Sequence, residues 1–252
     1  ARRNTAASNS SSTASLAYGG SSPSILGRTE QWDAGVSIGA WFTQTALNSA
    51  REALDTIGTN TSALAFGGEI PPSGVTGNTE DWNGSTWAEI NNLNTARRTL
   101  AGAGTSTAGL AFGGWGPSIY DNTETWNGLV WAEVNDLNTA RAKVNNSGAG
   151  TQTSALLAGG ANPDSTKKDL TESWNGTNWT EVNDLNTARY NLGMTGASNT
   201  AAVAFGGDVN PGRPANTESW NGSSWTETTD LNTGRSSIAG AGTYTAALAF
   251  GG

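Results

Sequence analysis

Three phrases in one stretch decide the fold: Ala111-Phe112-Gly113-Gly114, then Asn122-Thr123-Glu124-Thr125-Trp126-Asn127-Gly128-Leu129-Val130-Trp131, then Leu137-Asn138-Thr139-Ala140-Arg141. Working outward, the first phrase recurs as small or apolar residues closed by Gly-Gly at Gly19-Gly20, Gly67-Gly68, Gly113-Gly114, Gly159-Gly160, Gly206-Gly207 and Gly251-Gly252. The other two recur five times as Thr-Glu-x-Trp, a short turn, a second Trp and Leu-Asn-(Ser/Thr)-(Ala/Gly)-Arg. Successive copies lie 45 to 48 residues apart, a period that belongs to solenoids and propeller blades. A single domain over residues 1–252 is expected, built of stacked units. The opening Ala1-Arg2 matches the Ala-Arg that closes later copies, such as Ala96-Arg97, so the chain is read as a piece of a longer array.

Within the unit from Arg97 to Arg141, residues 98–104 are small, which suits a strand where backbones crowd together. Ala108 to Phe112 alternates so that Leu110 and Phe112 share a face. Gly-Gly then permits a turn. Thr123 to Trp126 and the segment from Trp131 form a hairpin across Asn127-Gly128, a strong hairpin signal repeated at Asn83-Gly84, Asn175-Gly176 and Asn221-Gly222. In the first copy Trp32 and Trp41 are nine apart, so its loop is longer. No apolar stripe at helical spacing runs for three turns. Four short antiparallel strands per unit make an all-β propeller. The order of four strands occurs five times, followed by two strands in residues 236–252. The count favours six blades with an incomplete last blade; five blades with a surplus hairpin is the alternative.

Composition removes several chemistries. Cysteine and histidine are both absent, which excludes disulfides, thiolate metal sites, imidazole ligands and Ser-His-Asp or Cys-His nucleophiles. The formal net charge of −8 argues against nucleic acid as a partner. No apolar run approaches the roughly 20 residues that span a bilayer, so no membrane insertion is expected. Neither a cofactor nor a metal is expected.

These residues resemble the Kelch repeat: an Arg, a small-residue strand, an apolar strand closed by Gly-Gly, a Glu-x-aromatic strand and a Trp strand returning to Arg. The idiom of Ala-Phe-Gly-Gly, Asn-Thr-Glu-x-Trp-Asn-Gly and Leu-Asn-Thr-Ala-Arg also resembles repeat arrays in virion structural proteins of phages, especially those of marine cyanobacteria. The resemblance implies a fibre, tail or decoration component, located in the virion or outside the cell. Its partners would be other virion structural proteins or copies of itself, with a host-surface glycan as a further candidate. Kelch-fold galactose oxidase uses histidine-ligated copper and a cysteine-modified tyrosine, and this chain has neither residue type. One departure concerns packing: the residue before Gly-Gly is Tyr18, Phe66, Phe112, Phe205 and Phe250, but Ala158 in the fourth copy. The fourth unit is expected to pack more loosely unless Leu157 or a neighbouring blade fills the space.

Glu30, Glu80, Glu124, Glu172 and Glu218 recur in phase, as do Arg51, Arg97, Arg141, Arg189 and Arg235. A catalytic residue is needed once per site, whereas these occur once per unit, so they are read as structural and no catalytic residue is assigned. The ten phased tryptophans are read as packing wedges. Function is expected where the copies differ, in the connections from Gly-Gly to Thr-Glu: 21–28, 69–78, 115–122, 161–170 and 208–216. Alternate connections of an up-and-down blade share a side, so these emerge on one face. They supply the candidate binding residues Trp115, Tyr120, Lys167, Lys168 and Arg213. The expected function is a non-enzymatic structural or adsorption module; the alternative is a lectin-like or polysaccharide-acting propeller.

Overall fold

The computed structural model describes residues 6–7, 14–20, 24–34, 40–162, 164, 166–209 and 211–252. No helix occurs among them. Five sheets each carry four antiparallel strands. The first comprises Ala6–Ala7, Ala14–Tyr18, Thr29–Asp33 and Ala40–Gln44; the second Asp55–Gly58, Ala63–Phe66, Thr79–Trp82 and Trp87–Ile90. The third comprises Ala101–Thr105, Ala108–Phe112, Thr123–Trp126 and Trp131–Glu133, and the fourth Gly148–Thr151, Ser154–Ala158, Thr171–Trp174 and Trp179–Val182. The fifth comprises Gly193–Ser198, Ala201–Phe205, Thr217–Trp220 and Trp225–Glu227. Every sheet runs in chain order, strand beside consecutive strand, except that the second carries a short ribbon, Glu69–Ile70 with Gly74–Val75, in its connection.

Five four-stranded blades are thus present, the number of the alternative count, and the two strands expected in residues 236–252 form a hairpin. Ile238–Thr243 and Ala246–Gly251 pair only with each other, because no described Thr-Glu-x-Trp strand lies beside them. The hairpin nevertheless joins the ring. Its first strand neighbours Gly193–Ser198 on one side and Ala6–Ala7 on the other, and the remaining first strands neighbour one another in turn. Trp41 of the first blade meets Phe250 of the hairpin at 5.2 Å between ring centroids.

The register follows the phrases. Trp126 pairs with Trp131 across a four-residue loop in which Asn127 Oδ1 accepts the N–H groups of Leu129 and Val130 at 2.9 Å. Gly128 sits at φ +92°, where only glycine is unstrained, which explains the Asn-Gly start shared by the four short turns. In the first blade Trp32 still pairs with Trp41 and Asp33 with Ala40, so the extra length is confined to the loop; residues 35–39 lie outside the described residues.

The core lies between blades rather than within them. One cluster joins Leu16, Tyr18 and Leu47 of the first unit to Ala63, Ala65, Trp82 and Trp87 of the second, and the pattern repeats from the second to the third, third to fourth and fourth to fifth. Phe66, Phe112 and Phe205 reach across to an inner-strand glycine of the next unit: a Cβ on Gly102, Gly148 or Gly240 would lie 2.6, 2.9 or 2.7 Å from the respective ring. Where the fourth unit has Ala158, the fifth carries Met194 at the position of those glycines, and both belong to one buried cluster. A long, adaptable side chain from the neighbouring blade therefore replaces the ring volume. The expected loose packing is resolved by this exchange.

Candidate functional site

The phased polar residues form a latch between consecutive blades. Arg51, Arg97, Arg141 and Arg189 pair with Glu80, Glu124, Glu172 and Glu218 of the following unit at 2.8, 2.7, 2.8 and 2.9 Å, with both side chains fully buried in every pair. Each glutamate also accepts from the Leu-Asn asparagine of the arginine's own phrase; Asn94 donates its backbone N–H at 2.7 Å and its Nδ2 at 2.9 Å to Glu124 Oε2. Burial pulls the four guanidiniums below their usual range, and the facing glutamate pushes each back up. Unpaired, such burial is expensive, so the phrases must recur together.

The tryptophans complete the latch. Trp87, Trp131, Trp179 and Trp225 donate their indole N–H to the threonine hydroxyls of Thr29, Thr79, Thr123 and Thr171 in the preceding blade at 3.0 to 3.1 Å. Trp82, Trp126, Trp174 and Trp220 are at most 2% exposed. None of these eight rings offers a free face.

The variable connections occupy the side of the ring where each chain passes from an arginine into the next inner strand. Backbone pairs pin the two together: Arg98 with Trp115, Ala142 with Ala161 and Tyr190 with Asp208. The turn itself is unusual, since Ala53, Thr99, Lys143, Asn191 and Ser237 all adopt φ between 51° and 56°. Backbone hydrogen bonds tie these turns into a belt, from Thr99 N–H to the Ala53 carbonyl, Asn191 N–H to that of Lys143 and Ser237 N–H to that of Asn191. The connections are therefore rooted in the ring.

On this face the candidates fall into two groups. Trp115, 38% exposed, carries the Arg98 guanidinium 4.5 Å from its ring centroid, and Arg98 also pairs with Glu69 of the second blade. Tyr120 folds back over Gly116, whose Cβ would lie 2.8 Å from the ring. The second group spans the fourth and fifth blades. The Lys167 ammonium donates to the Val209 carbonyl, Arg213 lies 3.5 Å from Asp208, and Lys143 stands 4.5 Å over the Tyr190 ring. Lys168 is half-buried, with its backbone N–H on Gly160 and its carbonyl on Arg189 N–H. Glu69 and Asp208 open two of the variable connections but were not among the candidates, and Arg98, Lys143 and Tyr190 lie outside those connections. Arg98, Lys143 and Tyr190 follow the phased arginines by one or two residues, and that position was the available signal, because the passage between blades shares a side with the variable connections.

Asp55 also breaks the repeat. It stands where the third unit has Ala101, is 3% exposed near the ring axis, and accepts backbone N–H groups of Thr56 and Gly102 at 2.8 Å. Burial pushes its carboxyl up to about 7. A small cavity beside it is lined by Gly102, Asn146, Gly148 and Met194. Among the described residues no group of three or more acidic side chains is placed to hold a metal ion.

Four-stranded antiparallel blades set round an axis and latched edge to edge define the chain as a β-propeller. It is similar to the solved structure of YjhT, with a TM-score of 0.81 over 100% of this chain and 90% of that one, at 11% identity. At that identity the likeness is one of fold alone. No family model and no curated protein matches the chain.

Proposed function

We propose that this propeller is a non-enzymatic structural or adsorption module of a virion, a rigid disc in a fibre, tail or decoration component. Its partners in this reading are other virion structural proteins or further copies of itself. The observation that carries it is the use of the repeated functional groups: four buried Arg–Glu pairs and eight buried tryptophans are spent on joining blades. What remains outside is a face of rooted, unequal loops. The Kelch-like wording of the unit and its resemblance to phage arrays support the virion setting.

The test exchanges residues 115–122 for a short Gly-Ser loop and measures particle assembly and host-surface binding separately. The expected result is loss of one of them with the ring still folded. If both survive while altered Asn-Gly turns on the opposite side disrupt either, the loop face is not the contact surface. The exposed Trp115 indole favours one second reading, a lectin-like or polysaccharide-acting site, since an amphipathic ring suits a sugar face. Polysaccharide release abolished by changing one Asp or Glu, but not its repeat counterparts, would establish an enzyme instead.

A further inference from the structure

The chain has a net charge of −8 and three lysines, Lys143, Lys167 and Lys168. The fold brings all three to the boundary between the fourth and fifth blades, on the face of the variable connections. Lys143 lies over the Tyr190 ring at 4.5 Å, and the Lys168 carbonyl accepts the N–H of Arg189 beside it. The Lys167 ammonium donates to the Val209 carbonyl, and Val209 N–H closes on the Gly212 carbonyl at 3.1 Å, which sets Arg213 next to them. Repetition does not account for this gathering. The positions equivalent to Lys143 hold Ala53, Thr99, Asn191 and Ser237, and those equivalent to Tyr190 hold Glu52, Arg98, Ala142 and Ser236. The buried Arg–Glu pairs that latch the blades are made by other residues.

Beside the lysines an open cleft is lined by Tyr190, Asp208, Gly212 and Arg213. Asp208 is fixed by its backbone, which exchanges hydrogen bonds with Tyr190 at 2.8 and 3.3 Å, and its carboxylate accepts from Asn191 at 3.4 Å. Arg213 approaches that carboxylate through Nε at 3.5 Å, and its side chain is 58% exposed. The terminal guanidinium nitrogens meet no partner among the described residues. An acceptor, a forked donor and an aromatic ring thus stand side by side. They match an acidic sugar, which offers hydroxyls that donate, a carboxylate that accepts and an apolar ring face. A ligand with a phosphate at every step, such as nucleic acid, would instead be repelled by Asp208, by Asp164 near Lys168 and by the acidic remainder of the molecule.

We propose that this boundary binds a carboxylated polysaccharide. One sugar acid occupies the cleft, with its carboxylate on Arg213, a hydroxyl donating to Asp208 and its apolar face against the exposed part of the Tyr190 ring. Lys167 and Lys168 meet the charges of neighbouring sugars. The proposal rests on the reading of the loop face as the contact surface and names what that face recognises. Trp115 and Tyr120 take no part.

The probe is a polygalacturonate oligomer, with neutral dextran and duplex DNA as comparators, titrated into the 252-residue protein by calorimetry at low and high salt. Saturable binding of polygalacturonate that weakens with salt is expected, with no binding of dextran and weaker binding of DNA. Arg213→Gln, and Lys167→Gln with Lys168→Gln, should lose about two- to fivefold in affinity for each cation removed, the range of exposed ion pairs. Ser223→Asp on an Asn-Gly turn makes the same change in net charge as Arg213→Gln and should leave binding unaltered. Asp208→Ala separates a built site from simple charge attraction. It removes a negative charge yet should weaken binding, because the hydroxyl acceptor is lost. Tighter binding by that variant, equal affinity for DNA, equal losses from Arg98→Gln and Arg213→Gln, or self-association through these lysines that the oligomer does not displace would each overturn the proposal. If no polygalacturonate binds while exchange of residues 115–122 still disrupts assembly or adsorption, the ligand assignment falls and the loop-face reading stands.

Discussion

At the scale of single residues, charge is placed where its cost is highest and is matched there. Arg97 and Glu124 are fully buried, so Glu124→Gln leaves a guanidinium without a counter-charge and should destabilise the protein by about 3–5 kcal/mol. Urea midpoints at neutral pH check this; a change within about 0.5 kcal/mol, the range of ordinary surface substitutions, would mean that the latch carries no stability. Among the described residues Asp55 faces no such partner, and its carboxyl is pushed from 3.8 to about 7 by burial. The folded state then holds the proton more tightly than the unfolded chain. Stability contributed by this group is greatest below the unfolded value of 3.8 and is lost as pH rises to about 7. Asp55→Asn, which keeps one carbonyl acceptor, should flatten that slope between pH 4 and 8, read as the difference in urea midpoint at the two ends.

At the scale of elements, the unit of packing is the boundary between two blades. Ala158 with Met194 replaces the phenylalanine–glycine combination found at other boundaries. Met194→Gly should open a cavity and cost about 2–5 kcal/mol. Ala158→Phe alone should overfill the site and cost about 1–3 kcal/mol. The double variant should lie close to the wild type, and a double-mutant cycle measures the coupling; additive losses would show that the two side chains do not share one space. The strands themselves were legible. Ala108–Phe112, Thr123–Trp126 and the strand from Trp131 fall where alternation and the Asn-Gly turn put them. What fills the place of the ring at Ala158 was not legible, because Met194 is distant in the chain and has the same local pattern as any strand residue.

At the scale of the molecule, the ring is uneven. Interior boundaries bury their tryptophans, with Trp131 5% exposed, whereas Trp41 at the hairpin boundary is 38% exposed. Trp131→Ala should therefore cost about 3–5 kcal/mol, and Trp41→Ala, whose half-exposed ring gives up its pairs with Phe250 and Trp32, about 1–2 kcal/mol. Hydrogen exchange should place the earliest opening at the hairpin and first blade. Equal losses for the two variants, or earliest exchange in the third blade, would contradict that order.

The sequence by itself determined the all-β class, the period, the strands and turns, and the structural reading of the phased glutamates, arginines and tryptophans. These rest on alternation, turn chemistry and repetition, which act over a few residues or are visible by comparing copies. The tertiary structure alone decided that Glu80, Glu124, Glu172 and Glu218 are each held by the arginine of the preceding unit, that Asp55 is buried near the axis, that Arg98 lies on Trp115, and that the Ile238–Gly251 hairpin packs between the inner strands of the fifth and first blades. Those facts join residues from about 17 to more than 230 positions apart, such as Arg98 with Trp115 and the strand Ala6–Ala7 with Ile238–Thr243 across the closing boundary. They depend on how far the ring turns at each blade, a sum of small rotations that no single segment of the chain encodes.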